Sequence, residues 1–519
     1  MRRAGLPATP RGCYSATPDR RRITRAVGSR CPVSAGWQIQ DVEWPADPAG
    51  AHSAWTAGGE GAWLDSCADR GLRGAGSRWS MLCVHPRAVL RQDELGAACL
   101  EVGGRVLARD ASGWALWGRA FRGSGTHPPC RLGLAPGWVG YLGFELGRLL
   151  ERLPANRHEV LGLPLLRMAL YDRAIVLDHA EQRAFAVHAG GDLCGLWELG
   201  GAHDGEWLER WQAAVRTRSK SNPVRTRIRP DQPAQAYERA VARALEYIRA
   251  GDIYQVNLAQ MLWIDGITEP AAAYAAIRRS NPAEYAALLH WDGGALASFS
   301  PELFLRVRKG QVRTSPIKGT RPRCGDPAAD ELARRELIES AKDAAELTMI
   351  VDLHRNDLGR VCRPGTVRVR EPRRLEAHPS VFHTVADVVG ELVPGRDALD
   401  LLQACFPAGS VSGVPKIRAL QIIDELEPVA RGAYTGAVGV VGFDGNMTFN
   451  VAIRTVQIAS AAATLYVGAG IVADSDPRCE YEETWAKARG ILAGITAEAP
   501  HSFSSEFRVS SCQTRKHET

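Results

Sequence analysis

Residues 464–496 read TLYVGAGIVADSDPRCEYEETWAKARGILAGIT and combine a short strand, a pair of glycines and a long helix. The apolar run at 464–467 predicts the strand, while Ser475 or Asp476 can cap a helix over 477–495 and Pro477 suits its first turn. The same mixture continues upstream, with a predicted helix that ends at Gly251, helices over 327–354, 398–405 and 414–425, and strands over 296–299, 384–391, 437–443 and 447–457. Because strands and helices do not alternate strictly, the pattern predicts an α+β fold.

The helix at 477–495 carries two carboxylates on one face. Glu480 and Glu483 are three residues apart, so both project from the same side of the helix, and Lys487 follows four residues later. Two such carboxylates can hold a hard cation such as Mg²⁺, or they can form a solvated, salt-bridged surface. Gly468 and Gly470 either leave backbone N–H groups open to an anion or form a plain tight turn.

Other chemistry-bearing residues lie upstream of that helix. Lys318, in the segment Pro-Ile-Lys-Gly-Thr, is either a dehydrated amine that acts as a nucleophile or a protonated surface lysine. Glu302 offers a carboxylic acid at a strand end, and Glu346 borders an apolar helix face, where a carboxylate needs a partner or a metal. Three more polar residues lie within apolar stretches and need partners there: His383, Tyr434 and Arg454.

Composition and charge exclude several classes of protein. The chain has 519 residues, of which 45% are hydrophobic and 24% charged, as in ordinary soluble globular proteins. No apolar run reaches the ~18 residues needed to span a bilayer, so we predict no association with membranes. Residues 1–32 hold eight arginines and one aspartate, so their charge of +7 exceeds the net charge of +6 of the whole chain. The rest of the chain has no basic excess, and nucleic-acid binding is not expected.

Changes in composition along the chain predict five segments. They are a disordered Arg-rich tail (1–35), an N-terminal domain (37–215), a linker (216–233), a second domain that holds the chemistry-bearing residues (234–496) and a polar C-terminal tail (497–519). The twelve cysteines form no CxxC pair, and the Arg-rich start lacks the apolar region of a secretory signal. The expected location is therefore the cytoplasm, although the first residues also have the composition of an organellar transit peptide.

Taken together, these segments resemble the chorismate-utilising enzymes. That family includes component I of anthranilate synthase and of aminodeoxychorismate synthase, and the isochorismate and salicylate synthases. The resemblance is strongest over 234–496 and rests on GDIYQVNL (251–258), AEL (345–347), DLHRND (352–357), FPAGSVSGVPK (406–416), RGAYTG (431–436) and GAGIVADS (468–475), while GWVGYLGFELGR (137–148) looks like the family's N-terminal domain. It implies an anthranilate-synthase-component-I-like fold, in which two β-sheets pack together with helices outside.

The resemblance also implies roles for individual residues. Glu346 and Glu483 would hold Mg²⁺, with Glu480 close by or joined through water. Glu302 would be the general acid that protonates the departing hydroxyl group of chorismate, and Lys318 would be the nucleophile. The residues that would bind the substrate are Gln255, Thr320, His383, Tyr434, Arg454, Gly468, Ala469, Gly470 and Lys487.

Two positions distinguish the members of the family. Enzymes that form isochorismate or salicylate have a lysine where this chain has Gln255, so those reactions are not expected. The Pro-Ile-Lys-Gly-Thr segment around Lys318 resembles aminodeoxychorismate synthase component I, which implies conversion of chorismate and ammonia to 4-amino-4-deoxychorismate, on the route to p-aminobenzoate and folate. The chain has no Gly-x-Cys-x-Gly segment, so a separate glutaminase subunit is expected to supply the ammonia.

Two alternatives remain open at the level of sequence. The nearer one is anthranilate synthase component I, which serves tryptophan biosynthesis. The other is a regulatory protein that binds chorismate or tryptophan without catalysis. Lys318, Glu302, Glu346 and Glu483 are all present, which disfavours a regulator because binding alone does not require a general acid.

Overall fold

The computed structural model describes residues 36–496, apart from 58, 73, 75, 94–95, 125–126, 155–156, 190–205, 220–225, 379–380 and 461. The predicted tails at 1–35 and 497–519 lie outside the described residues. The α-helices are α1 (Pro48–Thr56), α2 (Gly113–Gly123), α3 (Trp207–Ala214), α4 (Ala234–Arg249), α5 (Pro270–Ser280), α6 (Pro327–Glu339), α7 (Ala341–Gly359), α8 (Ala398–Cys405), α9 (Lys416–Leu426) and α10 (Pro477–Ile495). Short 3₁₀ turns occur at Ala68–Arg70, Phe144–Leu149 and Gly409–Val411.

The strands pair in antiparallel fashion throughout. They are β1 (Trp37–Val42), β2 (Gly61–Asp65), β3 (Trp79–Val84), β4 (Ala88–Gln92), β5 (Ala98–Val102), β6 (Arg105–Asp110), β7 (Gly137–Leu142), β8 (Leu166–Leu170), β9 (Arg173–Asp178), β10 (Arg183–Ala189), β11 (Arg227–Pro230), β12 (Gln255–Asp265), β13 (Tyr285–Trp291), β14 (Gly294–Ser300), β15 (Leu303–Arg308), β16 (Gln311–Ser315), β17 (Ile317–Pro322), β18 (Arg368–Ala377), β19 (Val381–Glu391), β20 (Gly413–Val414), β21 (Ala437–Gly442), β22 (Met447–Val451), β23 (Thr455–Ala459) and β24 (Ala462–Ile471).

These strands form two twelve-stranded sheets. The first sheet has the order β1-β10-β9-β3-β2-β13-β14-β23-β24-β12-β11, with β20 added beside β12. The second has the order β17-β19-β16-β15-β22-β21-β7-β8-β4-β5-β6, with β18 added beside β19. Both sheets take strands from both sides of residues 216–233, since β2 pairs with β13 in one and β7 pairs with β21 in the other.

The two sheets pack face to face and carry helices on their outer surfaces. Residues from both, such as Met81 and Leu296 of the first sheet and Val139 and Val438 of the second, share one buried cluster. Helices α1, α3, α5 and α10 bury their apolar faces on the outside of the first sheet, and α2, α7 and α8 do so on the second. Helices α4 and α9 cover β12 and β24. The predicted α+β fold with two packed sheets and external helices is therefore confirmed.

Most of the predicted elements are present, but two of them are split. The predicted helix over 327–354 is two helices, because Ser340 starts a new one: its hydroxyl accepts a hydrogen bond from the Asp343 N–H at 3.1 Å. The predicted strand over 447–457 is the two strands β22 and β23, because Arg454 has a left-handed backbone (φ 51°) and the chain there passes from the second sheet to the first.

Two local predictions differ from the structure. Part of the predicted linker at 216–233 forms β11, which pairs with β12 as a short, charged edge strand. The glycines at 468 and 470 belong to β24 and are not in a turn. Across the described ranges, no helix combines the length and the apolar character needed to cross a bilayer.

Candidate active site

Two crossings of the chain between the sheets lie side by side and define the site. Glu302 lies on the crossing from β14 to β15, and Arg454 lies on the return from β22 to β23. Backbone hydrogen bonds join the crossings: the Phe299 N–H donates to the Arg454 carbonyl at 3.0 Å, and the Val451 N–H donates to the Glu302 carbonyl at 3.1 Å. Residues that are 152 positions apart in the sequence are thereby held together where the two sheets meet.

Lys318 approaches this point from β17, at the end of the second sheet. Its Nζ lies 3.5 Å from the Ser410 carbonyl oxygen. A Cβ added to Gly470 would lie 3.5 Å from the same Nζ and 2.7 Å from Nε2 of Gln255, so glycine at this position leaves the space in which they meet. The structure therefore brings Lys318, Gln255 and Gly470 together.

The surroundings of Lys318 lower the pKa of its amine. Desolvation on burial lowers the pKa of the Lys318 amine, and the positive charge of Lys487 adds to that effect. Glu346, Glu302 and Glu483 oppose it, yet the net shift remains downward. A lowered pKa increases the deprotonated fraction of the amine at a given pH, and the deprotonated amine is the nucleophilic form.

Glu302 has the character of a general acid. The residue is 4% exposed, and within the described ranges its Oε1 has no hydrogen-bond partner. Burial raises the pKa of this carboxyl to about 7, although the nearby Ser410 hydroxyl, the Lys318 charge and the Ile317 N–H act in the opposite direction. A carboxyl group with such a pKa can carry a proton at neutral pH and give it to a leaving group.

Strand β24 presents its two glycines to the site. Gly468 and Gly470 share one face of the strand, whereas Ala469 points to the other and packs in the cluster under α4 and α9. A Cβ on Gly468 would lie 2.9 Å from the Tyr434 hydroxyl and 3.0 Å from Oδ1 of Asn257. The side chain of Ala469 is therefore directed away from the site.

Tyr434 and Arg454 supply hydrogen-bond donors around this face. Tyr434 is buried and stacks on Tyr466 with ring centroids 5.5 Å apart, and burial raises the pKa of its hydroxyl, which keeps the proton available. Burial lowers the pKa of the Arg454 guanidinium, and no carboxylate among the described residues pairs with it. A guanidinium without an internal counter-ion is suited to a carboxylate on a ligand.

His383 and Thr320 form a pair on the neighbouring strands β19 and β17. The Thr320 Oγ1 and the His383 Nδ1 lie 2.8 Å apart, at hydrogen-bond distance. Thr320 is exposed, whereas His383 is buried. Burial and then the positive charge of Arg454 lower the pKa of His383 to about 3, so the imidazole is neutral at physiological pH.

Three glutamates from two helices act on one another, and two of them, Glu346 and Glu483, also act on the Lys318 amine. Burial raises the pKa values of Glu346 (α7) and Glu480 (α10), and the negative charge of Glu483 adds to both shifts. Lys487 acts in the opposite direction on Glu483: its Nζ lies 2.8 Å from the Glu483 carboxylate and lowers the pKa of that group. The same Nζ donates to the Gly468 carbonyl at 2.8 Å, which ties α10 to β24.

The donor set of these glutamates suits a hard cation. They offer only carboxylate oxygens, which Mg²⁺ prefers, and the mutual repulsion of Glu480, Glu483 and Glu346 would be relieved by a positive charge. In the part of the chain that the structure describes, no three His, Cys, Asp or Glu side chains already lie at metal-ligand spacing. Lys342, whose Nζ is 4.0 Å from the Glu346 carboxylate, and Lys487 partly neutralise the cluster.

Three residues of the site were not singled out from the sequence. Ser410 lies beside Lys318 and Glu302, Asn257 lies beside Gly468 and Tyr434, and Lys342 acts on the glutamates. Asn257 could have been found, because it follows Gln255 by two positions and therefore lies on the same face of β12. The sequence around Ser410 and Lys342 carries no comparable periodic signal.

Comparison with known proteins identifies the family. The sequence model described as "chorismate binding enzyme" matches residues 101–493. The anthranilate synthase component 1 of Thermus thermophilus is 40% identical over 432 residues, which cover 82% of this chain and 90% of that protein. The aminodeoxychorismate synthase component 1 of Klebsiella aerogenes is 39% identical over 356 residues, which cover 69% of this chain and 76% of that protein.

A solved structure extends the similarity to three dimensions. The crystal structure of anthranilate synthase component I from Streptococcus pneumoniae matches with a TM-score of 0.70 and 28% identity, covering 81% of this chain and 93% of that one. The family match begins within β5 and includes the strands that follow it in both sheets and every residue of the site described above. The chain belongs to the chorismate-binding enzymes.

Proposed function

We propose that this chain is the component I of aminodeoxychorismate synthase and converts chorismate and ammonia into 4-amino-4-deoxychorismate. The observation that carries the proposal is the position of Lys318. Its amine, with a pKa lowered by burial, lies in the same pocket as Glu302, a carboxyl group whose pKa is about 7. A displacement of hydroxide by an amine requires a deprotonated amine and a protonated acid, and the two pKa shifts act in those directions.

The reaction consists of two allylic displacements. The neutral Lys318 amine attacks C2 of chorismate, the two ring double bonds shift, and the C4–O bond breaks while Glu302 protonates the departing hydroxyl group, which leaves as water. Ammonia then attacks C4, the double bonds shift back, and the C2–N bond to Lys318 breaks. The electron pair of that bond returns to the lysine nitrogen, which leaves as a neutral amine. The new ammonium group on C4 loses one proton, which restores the acid form of Glu302.

The other groups of the site would hold the substrate during both steps. Arg454, Tyr434, the backbone at Gly468–Gly470 and Lys487 would bind its carboxylates and its enolpyruvyl arm, while the neutral His383 would line the ring pocket. Glu346 and Glu483, with Glu480 nearby, would hold Mg²⁺, whose charge would neutralise the ring carboxylate of chorismate. Gln255 cannot serve as a base, which disfavours attack by water at C2.

Ammonia would come from a separate glutaminase subunit in the cytoplasm. The relatives from Thermus thermophilus and Klebsiella aerogenes both carry the name component 1, which accords with a second component. We expect the isolated chain to use ammonium salts and to gain glutamine-dependent activity only when a glutaminase subunit is added. Glutamine-dependent turnover by this chain alone would contradict that arrangement.

Product identity tests the proposal. The chain is incubated with chorismate, Mg²⁺ and ammonium, and the products are separated by chromatography before mass spectrometry. We expect 4-amino-4-deoxychorismate, which keeps the enolpyruvyl group, and a fall of about 10³-fold in its formation by Lys318→Ala. Chorismate should still bind to the variant, because the carboxylate-binding groups are unchanged. Unchanged product formation by Lys318→Ala would refute covalent catalysis.

Anthranilate synthase component I is the second candidate function. It is favoured by the extent of the match to the Thermus thermophilus relative, which covers more of this chain than the Klebsiella aerogenes relative does at a similar identity. Anthranilate is fluorescent and retains no enolpyruvyl group, so its appearance with the unmodified chain would select this function over aminodeoxychorismate synthesis.

A further inference from the structure

The loop at 405–412, between α8 and β20, presents Ser410 to the two reacting groups of the site. The Ser410 carbonyl oxygen lies 3.5 Å from the Lys318 Nζ. The Ser410 hydroxyl is buried beside the Glu302 carboxyl. The backbone position of this loop therefore sets where Lys318 and Glu302 stand relative to each other.

Lys416 holds the first half of the loop. Its ammonium group donates to the Cys405 carbonyl at 2.9 Å, to the Pro407 carbonyl at 2.9 Å and to the Asp357 carboxylate at 2.6 Å. An ammonium group has three donors, and all three are used here. The Lys416 side chain is 13% exposed and that of Asp357 is 6% exposed, so these bonds are largely shielded from water.

Arg431 holds the other half of the loop. Its guanidinium donates to the Val411 carbonyl at 3.1 Å, to the Asn257 carbonyl at 2.7 Å and to the Thr435 hydroxyl at 3.0 Å. Its two remaining donors bind both oxygens of Glu427, at 2.8 and 2.5 Å. All five guanidinium donors are therefore used, and the group is 1% exposed.

Further hydrogen bonds complete a frame around Ser410, by which we mean the contacts that Lys416, Arg431 and Asn257 make with the 405–412 loop. The Asn257 N–H donates to the Ser412 carbonyl at 2.8 Å, and the Ser412 hydroxyl donates to the Ala408 carbonyl at 3.1 Å. The carbonyls on both sides of Ser410 are thus engaged with groups from α9, β12 and the segment before β21. The Ser410 carbonyl, by contrast, is directed at Lys318.

Two fully hydrogen-bonded cations, Arg431 buried and Lys416 largely shielded from water, hold one short loop, and this requires an explanation other than stability. Replacing a buried ion pair by apolar side chains is often neutral or stabilising, so such a pair is weak support for a purely structural role. A cation with several fixed acceptors does, however, define the positions of those acceptors. We infer that Lys416 and Arg431 are positioning residues for the reaction, which fix the 405–412 backbone so that Ser410 orients Lys318 and Glu302. This inference rests on the proposed function for the identity of the reaction.

A charge-free double variant tests the inference. Lys416→Met with Asp357→Leu removes both charges together, so no buried charge is left unpaired. We expect a melting temperature close to that of the unmodified chain, a fall in kcat of about 10²-fold, and a KM for chorismate within about threefold, because a displacement of about 1 Å can cost that much rate. The carboxylate-binding residues do not touch Lys416, so binding should persist.

The chain offers a matched control pair. Arg148 and Asp424 are joined at 2.6 Å, and their side chains are also 13% and 6% exposed. Arg148 donates to the Arg157 carbonyl at 3.4 Å and to Asp424, both of them outside the 405–412 loop. Arg148→Met with Asp424→Leu should therefore leave kcat unchanged. Equal losses of kcat in the two double variants would overturn the inference, because they would reflect general destabilisation.

A second measurement does not depend on which product is formed. Lys318 is labelled with an amine-reactive reagent over a range of pH, and its labelled peptide is quantified by mass spectrometry. Because the Ser410 carbonyl oxygen lies against the Lys318 Nζ, release of the loop should expose the amine and raise the rate of Lys318 labelling at each pH in Lys416→Met with Asp357→Leu, but not in the control pair. If the unmodified chain makes anthranilate, the proposed function fails while this comparison still tests the positioning role.

A conservative variant covers the case in which the first one does not fold. Arg431→Lys keeps the charge but has three donors where arginine has five, so it must release part of the frame. We expect a fall in kcat of about tenfold with little change in melting temperature. Full kcat in Arg431→Lys, or unchanged kcat and labelling in a folded Lys416→Met with Asp357→Leu, would overturn the inference.

Discussion

The pocket around Lys318 and the network around Asp65 both hold charged groups away from water, but they differ in how those groups are paired. In the network, Arg278 donates to both oxygens of Asp65, at 2.5 and 3.2 Å, and also to Asp69. Asp65 further accepts hydrogen bonds from the Tyr274 hydroxyl at 3.0 Å and from the Cys67 N–H at 2.9 Å. These groups satisfy one another completely.

The pocket contains polar atoms for which the described part of the chain supplies no partner. They include the Glu302 Oε1, the Gln255 Oε1 and the Asn257 Oδ1, all of them buried. An unpartnered buried polar atom costs about 1–3 kcal/mol of stability, so several in one place mark a site whose partners arrive with a ligand. The two regions therefore differ in pairing: Asp65 has a buried cation as its partner, whereas these three atoms of the pocket have no partner among the described residues.

The pKa shifts of the carboxyl groups also differ between the network and the pocket. Burial alone would raise the pKa of Asp65, but Arg278 and the hydrogen bonds outweigh it and the net pKa is lowered. At Glu302 burial dominates, and the pKa rises to about 7. A paired carboxylate is fixed in its charged form, whereas an unpaired one can exchange a proton near neutrality.

The largest effect is expected from a carboxylate in the pocket. Glu346→Gln should lower turnover by about 10³-fold or more while leaving the melting temperature close to that of the unmodified chain, because it removes a charge and an oxygen ligand from the predicted cation site. Turnover is measured across a Mg²⁺ titration, and Glu483→Gln should behave in the same way. Near-normal activity of Glu483→Gln at limiting Mg²⁺ would show that the metal assignment is wrong.

In the network around Asp65, a substitution should lower stability and leave activity unchanged. Arg278→Met leaves Asp65 as an uncompensated buried charge, which should lower the free energy of unfolding by about 3–5 kcal/mol. The kcat per folded molecule should not change. Arg335→Met breaks an exposed pair with Glu331 (3.0 Å) and should leave the free energy of unfolding almost unchanged when both variants are unfolded with urea. Loss of kcat in the folded fraction of Arg278→Met would mean that the network and the pocket are coupled.

Glu302→Gln should lower activity by about 10²-fold or more, because the neutral amide cannot protonate the leaving hydroxyl group. In the unmodified chain, the rate divided by the concentration of free NH₃ should fall as the pH rises above about 7, where Glu302 loses its proton. The variant should lack that fall. A corrected rate that is flat through pH 7 in the unmodified chain would exclude Glu302 as the acid.

The smallest expected effect is a gain in stability for Glu302→Gln, whereas the preceding variants are expected to lose activity or stability. The pKa of Glu302 is about 7 in the folded chain and near 4.5 when it is unfolded, so between these values the folded state binds a proton that the unfolded state lacks. The free energy of unfolding therefore falls as the pH rises through that window. Glu302→Gln removes this penalty, and its melting temperature should exceed that of the unmodified chain at pH 8 but not at pH 4. Equal differences at both pH values would contradict the assigned pKa.

The sequence predicts the elements that depend on local signals. Helices α8 and α10 begin and end where the capping residues and the apolar spacing place them, and Gly251 follows the end of α4. The split of 447–457 into β22 and β23 was missed, because nothing local to Arg454 reveals that the chain changes sheets there. That conformation is set by packing between strands that are far apart in the sequence.

The site was predictable only through its motifs. Resemblance to the family selected Lys318, Glu302 and Arg454, whereas periodicity alone would have left each of them open. The frame around Ser410 was not predictable, since Arg431 finds one of its acceptors, the Asn257 carbonyl, 174 positions away. Spacing within a motif cannot reveal a bond of that range.

Each sheet combines strands from the two halves of the chain, and this arrangement also affects how the protein is synthesised and folded. Strand β7 receives its neighbour β21 only after about 300 further residues, and β2 waits for β13 in the same way. At about 5–20 residues per second, a ribosome needs ~15–60 s to synthesise the chain between β7 and β21. During that interval one edge of β7 and one edge of β2 have no partner and are open to pairing with other nascent chains. We therefore expect the cellular yield of this protein to depend on translation speed and chaperone supply more than on the stability of the finished fold.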